Sequence, residues 1–369
     1  MTSHFTRILS IGLLYTSSAL AAELGLPPVT SPDHNPTTDA KAALGARLFS
    51  DSRFSAQGDV SCASCHTPDN AFSDGPLQTS EGSAAIVSSR NAPSLLNVAY
   101  NTTQERDGRS ASLEAQTATP FTSHSQMGLK DYAAILDIVR SEKAYRDAFY
   151  DVFSKTAAAL TIDEVSMALA AYARSQVAGD SAFDRWRFGG QSAALTESQQ
   201  RGFEIFMNEG NCASCHSIGE ESALFTDQKF HNVGIGINAL QRKVPQLSKE
   251  LAQVKANGGS LAEAVLNDDN LSHLGRYAVD GKDSSIGAFR TPTLRNVSLT
   301  APYMHDGSID TLRGVVIHYN NGGVNIAGNR TNTWLSKQIK PLNLSDQQID
   351  NLVAFMESLT STRLITAQQ

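Results

Sequence analysis

The four cysteines of this 369-residue chain fall in two copies of one pentapeptide, Cys62-Ala63-Ser64-Cys65-His66 and Cys212-Ala213-Ser214-Cys215-His216. Paired thiols followed at once by histidine are the pattern that attaches c-type heme: the thiols add across the vinyl groups, and the histidine becomes the proximal iron ligand. A zinc ribbon would place its two pairs about 15–20 residues apart, whereas Cys65 and Cys212 are far more distant. A thioredoxin-like pair would need a βαβ setting, and no strand pattern surrounds either box. Two covalent hemes are predicted, with no thiol left for a disulfide.

The surroundings of the boxes repeat as well. Arg90-Asn91-Ala92-Pro93-Ser94-Leu95-Leu96-Asn97-Val98 is echoed by Arg290-Thr291-Pro292-Thr293-Leu294-Arg295-Asn296-Val297. With Asn97 set on Asn296, an offset of 199, Asp107-Gly108 falls on Asp306-Gly307 and Leu113 on Leu312. Seven residues further on the halves part: Pro120 in the first, Tyr319 in the second. Proline has no donor for iron, whereas a tyrosine phenolate is a known heme ligand. The repeat therefore predicts an open first heme and a second closed by His216 and Tyr319; the plainer reading of Tyr319 is a core aromatic.

These motifs resemble the bacterial di-heme cytochrome c peroxidase superfamily, in particular its MauG-like branch. The likeness runs from Leu44-Gly45-Ala46-Arg47-Leu48-Phe49 through Ala71-Phe72-Ser73-Asp74-Gly75, Asp107-Gly108-Arg109 and Phe230-His231-Asn232-Val233-Gly234 to the helix ending near Leu359. It implies a peroxidatic heme on His66, with Gln116 and Pro120 on its distal side, and an electron-holding heme on His216 with Tyr319. It also implies a calcium ion between the domains, held by Asn91, Thr300 and Pro302. The expected partners are hydrogen peroxide and a periplasmic protein, as electron donor or substrate. Classical peroxidases close the resting site with a histidine after the first box; none occurs between His66 and His124, so the site should be open.

Three positions depart from the family pattern. Gln126 stands where the distal glutamate falls, and an amide cannot shuttle a proton. His124, two residues away, is the candidate to take over the acid–base role. Arg106 replaces the tryptophan between the hemes, and a guanidinium there would pair with a heme propionate. Gly210 replaces the surface tryptophan used for protein oxidation, and the two tryptophans present, Trp186 and Trp334, match no family motif.

Helices must carry these groups. Apolar residues at Ala134, Ile135, Ile138, Val139, Ala148 and Phe149 mark a helical face over Asp131 to Phe153. Ile162 to Ala173 and Thr196 to Met207 read likewise, with Thr196 as N-cap, and Ser345 with Gln348 reads as a capping box. The hydrophilic run Gln241 to Ser260 reads as an exposed insertion. The expected fold is mainly α: two cytochrome c-like heme domains related by internal duplication, with long loops, over residues 23–185 and 186–369. Residues 1–22 read as a signal peptide, with basic Arg7, apolar Ile8 to Tyr15 and the small-residue site Ala19-Leu20-Ala21. Its apolar stretch is too short to span a hydrocarbon core of roughly 30 Å, which points to export to the periplasm. A 41% hydrophobic content with 18% charged residues excludes a disordered chain, and a net charge of −7 speaks against a nucleic-acid binder.

Overall fold

The computed structural model describes residues 23–323 and 332–367, so the expected signal peptide lies outside the described residues. Caps set where the main helices begin. α1 (Asp39–Phe49) opens at Thr38 and α2 (Leu113–Thr122) at Ser112, each hydroxyl accepting from a backbone N–H of the first turn. α3 (Ile162–Ser175) and α4 (Glu197–Met207) carry full capping boxes, Thr161 with Glu164 and Thr196 with Gln199. α5 (Leu312–Asn320) opens at Thr311, and α6 (Asp346–Glu357) carries the box expected from Ser345 and Gln348.

Each half builds its core on one crossed helix pair, α1 on α3 and α4 on α6. The crossings are close because a glycine sits at each. A Cβ on Gly45 would lie 2.1 Å from the Ala168 carbonyl oxygen, and one on Gly202 would lie 2.0 Å from that of Asn351. Around the first pair pack Leu48, Phe54, Phe121, Ile135, Phe149 and Val165; around the second, Phe183, Phe206, Phe225, Leu352 and Phe355. Burying each such side chain contributes about 1.5–3 kcal/mol.

The repeat seen in the sequence is a repeat in space. Asn97 and Asn296 both adopt the left-handed conformation, at φ 63° and 61°, which asparagine tolerates better than most side chains. Asn97 exchanges two hydrogen bonds with Ala178, beyond the end of α3, and Asn296 accepts from Ser361 N, beyond the end of α6. Matching turns follow, closed by the bridges Gln104–Ser110 and Tyr303–Ile309, and each leads into the helix that carries Pro120 or Tyr319.

Two expectations are corrected. The span Asp131 to Phe153 is two helices, Ala133–Ser141 and Lys143–Phe153, with Glu142 extended between them. Ile135 and Val139 are buried, and so are Tyr145 and Phe149. The step from 139 to 145 does not match the helical period, so the break brings the second pair inward. The run Gln241 to Ser260 is no exposed insertion: it forms a helix, Val244–Ala256, whose Val244, Leu247 and Leu251 enter a third core with Leu266, Leu274 and Ile286. A short antiparallel pair, Phe230–Asn232 with Ala288–Arg290, joins this unit to the second half. The first half docks on that pair through Arg290 N donating to Arg106 O at 2.8 Å.

Candidate functional site

The first heme box is one short helix, Cys62–Cys65, and the second a single tight turn, Cys212–Ser214. Burial pushes the Cys62 and Cys212 thiols up to about 12 and Cys65 up to about 11. Zinc ligands and redox-active cysteines need the opposite, a thiolate. His66 and His216 each direct Nδ1 at a carbonyl, Phe72 O at 3.1 Å and Phe225 O at 2.9 Å. A carbonyl accepts only from N–H, so in each neutral ring Nε2 keeps its lone pair for a metal. Burial lowers both imidazoles below their ordinary value, which favours that neutral form.

Each histidine faces its own cavity. The one at His216, about 290 Å³, is lined by Tyr319, Phe206, Arg106 and Arg290. The one at His66, about 160 Å³, is lined by Gln116, Pro120, Ser125 and Gln126. Asn91 to Ser94, Arg106 and Arg290 belong to both walls, so the cavities adjoin. Tyr319 and Pro120 hold the same place on α5 and α2, seven residues after the leucine that opens each helix and within its last turn. Burial raises the Tyr319 phenol above its ordinary value, and its hydroxyl makes no hydrogen bond among the described residues. Only a cation in the cavity would draw that proton off.

The residues fit two hemes. The Cys-Cys-His sets face cavities whose walls carry orphaned polar atoms, Ser125 Oγ at the His66 site and Arg290 Nε at the shared wall. Burial lowers both Arg106 and Arg290 to about 10. Neither guanidinium pairs with a carboxylate among the described residues, so two uncompensated cations stand where propionates would neutralise them.

The structure sorts the other expected residues. Gln116, Pro120 and Gln126 come together in the His66 cavity. His124 does not: it is exposed, its backbone N–H is tied to the Glu263 carboxylate at 3.2 Å, and it is absent from the cavity wall. Alternation decides this, since Ser123 and Ser125 turn inward and His124 outward. Asn91, Thr300 and Pro302 do share the His216 cavity wall. They do not fit calcium, however. Arg106 Nη2 donates to Asn91 Oδ1 at 2.6 Å and Nε to Asn91 O at 3.2 Å, so a fixed cation already holds these oxygens. A dication about 4 Å from that guanidinium would be repelled by on the order of 8 kcal/mol at an effective dielectric of about 20.

One wall residue escaped the sequence reading. Glu105 is the only carboxylate lining the His66 cavity among the described residues. Its place directly before Arg106 and Asp107-Gly108-Arg109 was the signal available.

The comparisons with known proteins identify the family. The profile of the di-haem cytochrome c peroxidase family matches residues 39–192. The methylamine utilization protein MauG of Methylorubrum extorquens is 34% identical over 93% of this chain and 84% of its own. This chain belongs to that family. A cytochrome-c peroxidase, IdrP1 of Denitromonas iodatirespirans, is likewise 34% identical, over 91% of this chain and 86% of its own. The crystal structure of a MauG-like protein associated with microbial copper homeostasis superposes with a TM-score of 0.76 at 29% identity, covering 94% of this chain and 96% of that one. Family membership implies two c-type hemes and oxidoreductase chemistry, on a mainly helical, cytochrome c-like scaffold. Among the described residues, no helix is long and apolar enough to cross a membrane.

Proposed function

We propose that this protein is a periplasmic di-heme peroxidase that reduces hydrogen peroxide at the His66 site. Electrons would be relayed through the His216/Tyr319 site from a protein donor. The observation that carries this reading is the pairing of Pro120 with Tyr319 on equivalent helices. Pro120, which has no donor for iron, holds on α2 the place that Tyr319 holds on α5, so the His66 cavity lacks the phenol that the His216 cavity offers.

The hemes, when bound, supply the redox-active iron; the chain supplies the rest. Phe72 O and Phe225 O orient the two imidazoles. Gln116 and Gln126 would offer amides to hold peroxide, and Pro120 has no donor for iron. Arg106, hydrogen-bonded to Asn91, is the resident cation of the shared wall in place of calcium. The reading of residues 1–22 as a signal peptide favours export, and the protein donor would dock near the second cavity.

Oxidative modification of a partner protein is the second reading. Phe206, on the wall of the second cavity, leads through Phe355 and Phe203 to half-buried Trp186, with ring centroids 5.1, 5.6 and 5.2 Å apart in turn. EPR of the resting protein tests the open site: one high-spin and one low-spin ferric signal are expected, and two low-spin signals would overturn it. Stopped-flow mixing with peroxide then separates enzyme from carrier. A fast stoichiometric change in the heme absorption is expected, whereas slow bleaching of both hemes would mark an electron carrier or sensor.

A further inference from the structure

The His66 cavity has peroxide-holding amides but lacks a carboxylate at the expected position, Gln126, and its nearby histidine faces solvent. The tertiary fold brings in another acid. Glu105 lies in the turn closed by the Gln104–Ser110 bridge, directly ahead of α2, with its backbone in the left-handed region at φ 69°. A glutamate held at positive φ is an uncommon conformation that the surrounding contacts must enforce. They do so through Arg109: Nη2 lies 3.0 Å from Glu105 Oε2, with the two side chains 8% and 15% exposed. The same guanidinium reaches Asp107 Oδ1 at 3.2 Å, and Asp107 is held by Arg90 at 2.6 Å. The other oxygen, Oε1, accepts no hydrogen bond among the described residues. Ser125 Oγ, fully buried and without a partner, lines the same cavity, so the pocket holds a second polar atom that awaits an occupant.

We propose that Glu105 is the acid–base residue of the His66 cavity, in the role left open by Gln126 and out of reach of His124. This rests on the peroxidase reading and deepens it. Glu105 would take a proton from one oxygen of peroxide held in the cavity and deliver it to the other, the outer oxygen, while the heme, when bound, would supply the redox-active iron. As the O–O bond breaks, that outer oxygen leaves as water. The balance is H2O2 + 2 H+ + 2 e− → 2 H2O, with the electrons from the reduced protein donor and the protons from solvent. The charges facing Glu105 are Arg109 and Asp107 on its own turn, Arg90 from the preceding loop, Arg290 from the strand pair and His66 across the cavity.

Cyanide tests this without turnover. Hydrogen cyanide must lose a proton on binding ferric iron, and that loss needs a base. We expect the holoprotein to bind cyanide rapidly at neutral pH and E105Q to bind it about 100-fold more slowly. The gap should close at alkaline pH, where the anion itself is the reactant. Glu105→Asp should retain part of the rate, and adding Q126E to E105Q should restore it. Unchanged heme content and an unchanged low-spin EPR signal would show that E105Q is folded. Equal rates for wild type and E105Q at neutral pH would overturn the role of Glu105 while leaving the open site standing. Failure of the wild type to bind cyanide at all would overturn the open site itself, and the proposal with it.

Discussion

Replacing Asp107 by Asn tests the buried charge network that holds the wall of the His66 cavity. Asp107 is fully buried and lies 2.6 Å from Arg90 Nη1, which is 5% exposed, and 3.2 Å from Arg109 Nη1. Burial alone would raise its carboxyl, but Arg90 and Arg109 override it and hold the group at about 2. Asparagine would leave the buried Arg90 guanidinium without a counter-charge, while Arg109 keeps Glu105, and breaking such a buried pair destabilises by about 3–5 kcal/mol. The repeat supplies its own control. Asp306 occupies the equivalent position, yet it is only half-buried and its carboxylate accepts from Ser308 N at 3.1 Å. Asp306→Asn should shift stability by less than about 1 kcal/mol.

The sign of the pH effect follows from the depressed carboxyl. Its stabilisation is present above the unfolded value of 3.8 and is lost as pH falls from there towards about 2. It amounts to about 2 kcal/mol. Thermal unfolding of the holoproteins, followed by far-UV circular dichroism between pH 7 and pH 2.5, should show Asp107→Asn far below Asp306→Asn at neutral pH. That separation should narrow in acid. Equal melting points for the two variants at pH 7 would refute the network.

Further outcomes follow from other parts of the structure. Tyr319→Phe should replace the low-spin EPR signal by a second high-spin one, and cyanide should then titrate two irons instead of one. Exhaustive dialysis against a calcium chelator should leave the EPR spectrum and peroxide reactivity unchanged, because Arg106 holds the Asn91 oxygens. Tightly bound stoichiometric calcium in elemental analysis would contradict this. Gly45→Val and Gly202→Val should each destabilise by at least about 1–3 kcal/mol in thermal unfolding, since the added carbon would meet a backbone carbonyl that cannot yield. Gly58→Val, facing open space, serves as the steric control, with some strain from its positive φ.

Covalent pattern was readable from the chain alone. Cys-x-x-Cys-His signals heme attachment because the groups that hold the heme are sequence neighbours, and the repeat at a fixed offset placed Pro120 and Tyr319 on equivalent helices. The N-cap at Thr196 and the capping box at Ser345 were visible for the same reason, since a cap spans only three residues. The helix of Val244–Ala256 was hidden because its three buried side chains are diluted by polar neighbours. What only the tertiary structure decided concerns side chains that meet across loops. Local motif spacing suggested His124 as a proton shuttle, and the alternation of buried Ser123 and Ser125 turned it outward. The family resemblance implied Asn91 as a calcium ligand, and the fold laid Arg106 on its oxygens. Asp107 and Asp306 look alike in sequence, yet only one is sealed between two arginines. Burial and charge pairing are properties of three-dimensional neighbours, and the same burial sets Glu105 as the sole described carboxylate on the wall of the His66 cavity.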